Sequence, residues 1–309
     1  MSHTMRYGLT QLFHGTPSFL ELTHEHFCRV VAARQSVVEL LRIEETFVYL
    51  IDNYRDLEAE ALANTLRNAN SPSRPWSEMI SDIHLFNRRI INLLTTCRLY
   101  LDHTPQRITA AVPDDDTIRS AMKRCWSERY DASFAYRLLE ELRNHVQHRG
   151  IPLSGLNRGG RVVDPSDPSA GSEHTLAFNI DRDRLVEDPK FKTRVADELR
   201  DIDGQVDVRP MIREYVALLA DSHQELRGMV GAAFAAADNT VSDAINQYSQ
   251  GDESREVALY AIEEDDHHQV VQKVYLSRDP AKRYRELVGR YSRLSAIARQ
   301  YITSAPPKK

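Results

Sequence analysis

Apolar positions recur along most of this chain at helical spacing. From Leu20 to Asn70 there is neither Pro nor Gly, and Val37, Leu40, Leu41, Phe47, Val48, Ile51, Tyr54 and Leu57 keep to one helix face. The pattern predicts one long helix, with a break admitted near Ala33, ended by Ser71-Pro72-Ser73-Arg74-Pro75. A second helix is expected from about Pro75 to His103, with Ile80, Ile83, Phe86, Ile90, Leu93, Leu94, Cys97 and Leu101 on one side. Pro105 and Pro113-Asp114-Asp115-Asp116 form the next break. The acidic cluster supplies N-cap candidates for a third helix over 115–127. A fourth spans about 131–149, with Phe134, Leu138, Leu142 and Val146 on its apolar side and Gly150 as its stop.

The pattern then loosens. Seven Gly and Pro residues between Pro152 and Gly171 mark 151–173 as a loop, and 174–181 alternates like a short strand. A short helix is expected over 188–201. Asp207 and Pro210 open a longer one, in which Met211, Tyr215, Leu219, Ser222, Leu226, Met229, Ala233, Ala237 and Val241 hold a sustained period. Over 256–276 the period changes to that of a β-hairpin with a polar turn, Glu263-Glu264-Asp265-Asp266-His267-His268. Asp279-Pro280 opens a last helix to about Ile302. The predicted class is mainly α: a helical bundle with long helices, a short strand and a C-terminal β-hairpin. The expected organisation is an N-terminal segment over 1–20, a bundle over 21–250 with a loop insertion at 151–173, hairpin and helix over 251–303, and a disordered tail over 304–309.

Composition narrows the function classes. The chain has 309 residues, 41% hydrophobic and 28% charged, enough for one large domain or two modest ones. No apolar run nears the roughly 20 residues of a membrane span. MSHTMRYGLT lacks the basic and apolar regions of a secretory leader, so none is expected. Three dispersed cysteines, Cys28, Cys97 and Cys125, argue against a disulfide framework and for a cytoplasmic setting. The net charge of -5 excludes a protein that coats nucleic acid non-specifically. Residues 119–149 nevertheless carry seven positive charges against four negative, which suits one short phosphate-bearing substrate.

The chemistry concentrates in Arg143-Asn144-His145-Val146-Gln147-His148, at the end of the fourth helix. An Arg-x4-His pair is a weak signal by itself: with 33 arginines and 12 histidines, about one arises by chance, and the chain contains a second, Arg98 to His103. Context favours the first. Asn144 and His148 share a helix face, His145 lies one turn before His148, and Arg143 is long enough to bend toward them. RNA cleavage needs a base for the ribose 2′-hydroxyl, an acid for the departing 5′-oxygen and a cation for the charged phosphorane. Histidine serves the first two roles near neutral pH, and arginine the third. One helix end offers too few groups for both acid and base, so two copies facing each other are expected to complete the site.

The Arg-Asn-x-x-x-His motif on a late helix of an all-α chain resembles the signature of the HEPN superfamily, Arg followed after four to six residues by His, often with a polar residue directly after the Arg. Asn144 fits that preference and Leu99 does not. The run Leu138 to Gly150 also resembles a group of uncharacterised bacterial proteins of similar length. The resemblance implies a metal-independent, dimeric endoribonuclease without cofactor, of the toxin or anti-phage defence kind. Arg143 would stabilise the transition state, His148 would act as acid or base, and Asn144 would position the phosphate. The chain departs from the usual pattern by its mass beyond residue 150, by the lack of an adjoining nucleotidyltransferase-like antitoxin domain, and by the extra His145, a second candidate acid-base group.

Supporting roles are expected for Gln147 and for Asp102 and His103, which could pack beside the motif. Arg149, Arg158 and Arg161 are candidate RNA contacts. Partners would be single-stranded or tRNA-like RNA, a second copy, and an antitoxin or defence-system protein. The alternative is a non-catalytic interaction or nucleotide-sensing module. The acidic-histidine turn at 263–268 is read as solvated, since consecutive turn side chains rarely converge on one ion, and His24-Glu25-His26 as helix surface.

Overall fold

A computed structural model of the chain describes residues 5–11, 18–71, 73, 75–167, 171–292, 294, 297–300 and 302. It is mainly α, with eight α-helices and two small antiparallel sheets among the described residues. The elements are β1 (Arg6–Gln11), β2 (Leu20–Leu22), α1 (His24–Asn70), α2 (Trp76–Ala111), α3 (Asp116–Ala132), α4 (Phe134–His148), β3 (Gly155–Val162) and β4 (Ser172–Ile180). They continue with α5 (Arg182–Glu187), α6 (Thr193–Arg200), β5 (Val206–Asp207), α7 (Arg209–Ser249), β6 (Leu259–Glu264), β7 (Val270–Tyr275) and α8 (Asp279–Arg290).

The chain divides into two compact units. One contains residues 1–45, 103–122 and 224–293, the other 46–102, 123–223 and 294–309. In the first, the sheet order is β2-β1-β6-β7. The C-terminal hairpin forms as expected, Tyr260 opposite Tyr275 and Ile262 opposite Lys273. Its turn is organised by the Asp265 carboxylate, which accepts the backbone N–H groups of His267 and Gln269 at 2.9 Å each. Among the described residues no three His, Cys, Asp or Glu side chains converge as a metal site. The weakly patterned N-terminus is in part a strand: β1 pairs with β6, Leu9 opposite Ala261. The unit also buries an ion pair, Arg227 with Glu44 at 2.6 Å.

The second unit holds the sheet β3-β4-β5. About a third of the expected loop at 151–173 is therefore a strand, Gly155 to Val162 paired with Asn179 to Ser172. Two of the glycines that suggested a loop, Gly159 and Gly160, face β4 closely. A Cβ on Gly159 would stand 2.5 Å from the Thr175 hydroxyl, so any larger residue would force Thr175 to shift where the two strands approach. The buried core of this unit includes Phe86, Phe178, Leu138, Leu142, Ile212, Tyr215 and Leu219, with Phe86 against Phe178 of β4.

The helices start where their caps allow. Asp115 accepts the Thr117 N–H at 2.8 Å ahead of α3, and Ser133 accepts the Tyr136 N–H at 3.1 Å ahead of α4. α1 runs unbroken past Ala33, but its first residues, Leu20 to Leu22, are strand instead of helix. α2 does not stop near His103. It continues through Pro105 to Ala111, because Ile108 and Ala111 are buried and Arg107 reaches Glu39 at 3.2 Å. Those contacts offset a lost backbone hydrogen bond. The helix expected over 188–201 forms as α6, from Thr193 to Arg200, and a separate short helix, α5, precedes that range. Asp188 precedes Pro189 and is held in an extended conformation (φ -71°, ψ 112°), which separates α5 from α6. α8 ends at Arg290, short of Ile302. The expected tail at 304–309, like Gly15, Pro17, Pro72, Arg74 and Pro168, lies outside the described residues. At 1.5 Å per residue the 41 residues of α7 extend about 60 Å. No helix among the described residues is long and apolar enough to cross a membrane.

Candidate functional site

The motif forms the last turn of α4, as its spacing predicts. α4 is buried on more than one side, by Tyr136, Leu138, Leu139, Leu142, Glu141 and His145. Arg137 is buried as well. It pairs with Glu198 through two nitrogens at 3.0 and 2.6 Å, and it donates to the backbone carbonyls of Tyr130 and Asp131 at the end of α3. The helix that carries the motif is thus fixed along its length, while its C-terminal end opens to solvent.

At that end the two histidines part company. His148 is exposed, and its side chain makes no hydrogen bond or ion pair among the described residues. His145 is 8% exposed. Its Nδ1 lies 3.4 Å from Asp188 Oδ2, without the alignment of a hydrogen bond, and its ring meets the edge of Phe191. Burial lowers the His145 pKa below the ordinary value of 6.5, and the neighbouring charges of Arg149 and Arg184 lower it further, against a smaller opposing effect of Glu141. Both effects favour the neutral imidazole.

Arg143 is half-buried and donates from Nη1 to Asn144 Oδ1 at 3.1 Å, so the two side chains hold each other. Its Nε is buried without a partner. Gln147 is exposed. Arg149 is bonded to Asp188.

The other candidates lie elsewhere. Arg158, on β3, donates to Asp82 of α2 at 2.8 Å, and Arg161 pairs across the strands with Glu173 at 2.7 Å. Neither is brought to His148 by any described contact. The second Arg-x4-His pair is structural at its arginine. Arg98 holds Asp102 at 2.7 Å and Glu140 at 3.3 Å, and Glu140 also accepts the Tyr215 hydroxyl. Asp102 thus bears on α4 through Arg98, whose partner Glu140 lies one turn before Arg143. His103 is exposed.

Sequence reading missed Asp188, Arg184 and Glu140. The Asp188-Pro189 pair was the one available signal, since it breaks a helix and turns its carboxylate back toward α4. No family model, curated protein or solved structure matches the chain.

Proposed function

We propose that the protein is a metal-independent endoribonuclease of the HEPN kind, a helical bundle that acts as a dimer in the cytoplasm. The observation that carries this reading is the end of α4, where an exposed His148, without a side-chain partner among the described residues, shares the last turn with the bonded pair Arg143 and Asn144. The substrate's 2′-oxygen attacks phosphorus, the bond from phosphorus to the 5′-oxygen breaks, and the products carry a 2′,3′-cyclic phosphate and a 5′-hydroxyl. His148 of one copy takes the 2′-hydroxyl proton, and that of the second copy protonates the leaving oxygen. Arg143, oriented by Asn144, stabilises the phosphorane. RNA is the substrate, and an antitoxin or defence-system protein is the partner that would restrain such an activity.

A second reading, a phosphate-sensing module without cleavage, is favoured by one feature. Arg149, Arg158 and Arg161 are each engaged by a carboxylate, which leaves fewer cations to hold a long RNA. Incubation of wild type and His148→Ala with total RNA in EDTA, followed by end-group analysis, separates the two. Discrete cuts with cyclic-phosphate ends, absent in the variant, support the ribonuclease. Absence of cutting by wild type moves the weight to the sensor.

A further inference from the structure

Gly150 follows α4, yet it does not serve as a left-handed helix stop. The helix is capped by Arg149, whose N–H donates to the His145 carbonyl at 2.8 Å, and among the described residues only Gly204 and Gly251 are glycines with positive φ. What the missing side chain leaves is space. A Cβ on Gly150 would stand 3.7 Å from His145 Nε2 and 3.8 Å from Arg184 Nη2. Two nitrogens from different elements, α4 and α5, converge on one small open position.

The surroundings of that position are built. His145 is more than nine-tenths buried, its Nδ1 has no hydrogen-bond partner, and Asp188 stands on that side of the ring. Its other nitrogen faces Gly150. Asp188 is itself held by Arg149. Arg184 is exposed and makes no side-chain hydrogen bond or ion pair among the described residues. Glu141, one turn earlier on α4, has Lys192 at 3.9 Å. Arg149, Arg184 and Lys192 together outweigh Asp188 and Glu141 by one positive charge. That excess matters because the C-terminal end of a helix is partially negative and repels anions unless cations offset it.

We infer that the open side of Gly150 is an oxyanion site, in which Arg184 and His145 Nε2 receive a phosphate group. For the source of that phosphate, the RNA backbone, the inference rests on the ribonuclease reading; the site itself does not. Arginine supplies the fork of donors that phosphate oxygens accept. The phosphate offsets the two guanidinium charges, so the imidazole takes up a proton and donates from Nε2. Asp188 then stabilises the imidazolium from the Nδ1 side. Glu141 acts in the same direction, and Lys192 in the opposite one.

The test follows the C2–H resonance of His145 by NMR in the full chain, assigned through its loss in His145→Gln. Inorganic phosphate is added in one arm, and in the other a short 2′-deoxy oligonucleotide without terminal phosphates, which cannot be cleaved. The resonance is expected to move toward its protonated position in wild type. The affinity is expected to fall at least tenfold in Arg184→Ala and in Gly150→Ala. The glycine variant remains folded, because 3.7 and 3.8 Å are ordinary contacts and the backbone is not left-handed. Movement with the oligonucleotide supports the site with backbone phosphate as its ligand. Movement with inorganic phosphate alone supports the site and detaches it from RNA. No movement in either arm, or unchanged affinity in Gly150→Ala, overturns it. His148→Ala keeps the phosphate response whether or not the chain cleaves RNA, so the two readings fail separately.

Discussion

Arg98 of α2 and Glu140 of α4 are joined at 3.3 Å, and this bond ties the helix bearing the motif to its neighbour one turn before Arg143. Glu140 is largely buried and also accepts the Tyr215 hydroxyl, while Arg98 is steadied by Asp102. Replacement of Arg98 by Met leaves a largely buried carboxylate with one partner. The expected loss is about 1–2 kcal/mol of stability, read as a lower thermal midpoint. Unchanged stability would show that Arg98 does not hold α4.

The two histidines of the motif should answer oppositely to truncation. His148→Ala removes an exposed side chain without described partners and is expected to shift stability by less than about 0.5 kcal/mol. His145→Ala removes a buried ring between Asp188 and Phe191 and is expected to cost about 1–2 kcal/mol. Urea unfolding of both variants checks the contrast. Equal losses would mean that His148 is structural, which would remove the basis of the ribonuclease reading.

These differences explain how much could be read in advance. The long periods of α1 and α7 were legible because each is a local 3.6-residue pattern. The hairpin was legible because its two strands are neighbours in sequence. β1 was not, since its longer pairing is with β6, some 250 residues away, and its neighbour β2 is only three residues long, so no local pattern records the sheet. β3 was hidden by Gly159 and Gly160, whose role is close approach to β4. At the site, the spacing placed Arg143, Asn144, His145 and His148 in one turn. Which histidine is covered was not legible, because the cover comes from Asp188 and Phe191, between α5 and α6.

Thiol chemistry gives an independent check of burial. Cys97 and Cys125 are buried and Cys28 is exposed on α1. Burial, and then the charge of Glu140, raises the Cys97 pKa well above its ordinary value, so that thiol stays protonated. An aromatic disulfide reagent is expected to react rapidly with one thiol per native chain and with all three after unfolding. Cys28→Ser should abolish the fast phase. A second fast thiol in native protein would contradict the packing around α2 or α3.

The last prediction concerns acid. Glu58 of α1 receives Arg213 at 2.6 and 2.8 Å and Arg209 at 2.7 Å, with all three side chains mostly buried. Burial opposes the charged carboxylate, but hydrogen bonds and charge from Arg213 and Arg209 outweigh it, and the pKa falls below the ordinary 4.5. A carboxylate with a depressed folded pKa stabilises the native state above its unfolded pKa. That stability is lost as pH falls through the folded value. Glu58→Gln removes the carboxylate charge that Arg209 and Arg213 share and is expected to cost about 3 kcal/mol at pH 7. The gap between wild type and variant should hold down to about pH 5 and narrow below 4.5, where the carboxylate takes up a proton first in the unfolded chain and then, at lower pH, in the folded one. Unfolding measured from pH 7 to pH 3 reads this directly. A gap that stays constant over the whole range would mean that the Glu58 charge contributes nothing and that the variant suffers from altered packing alone.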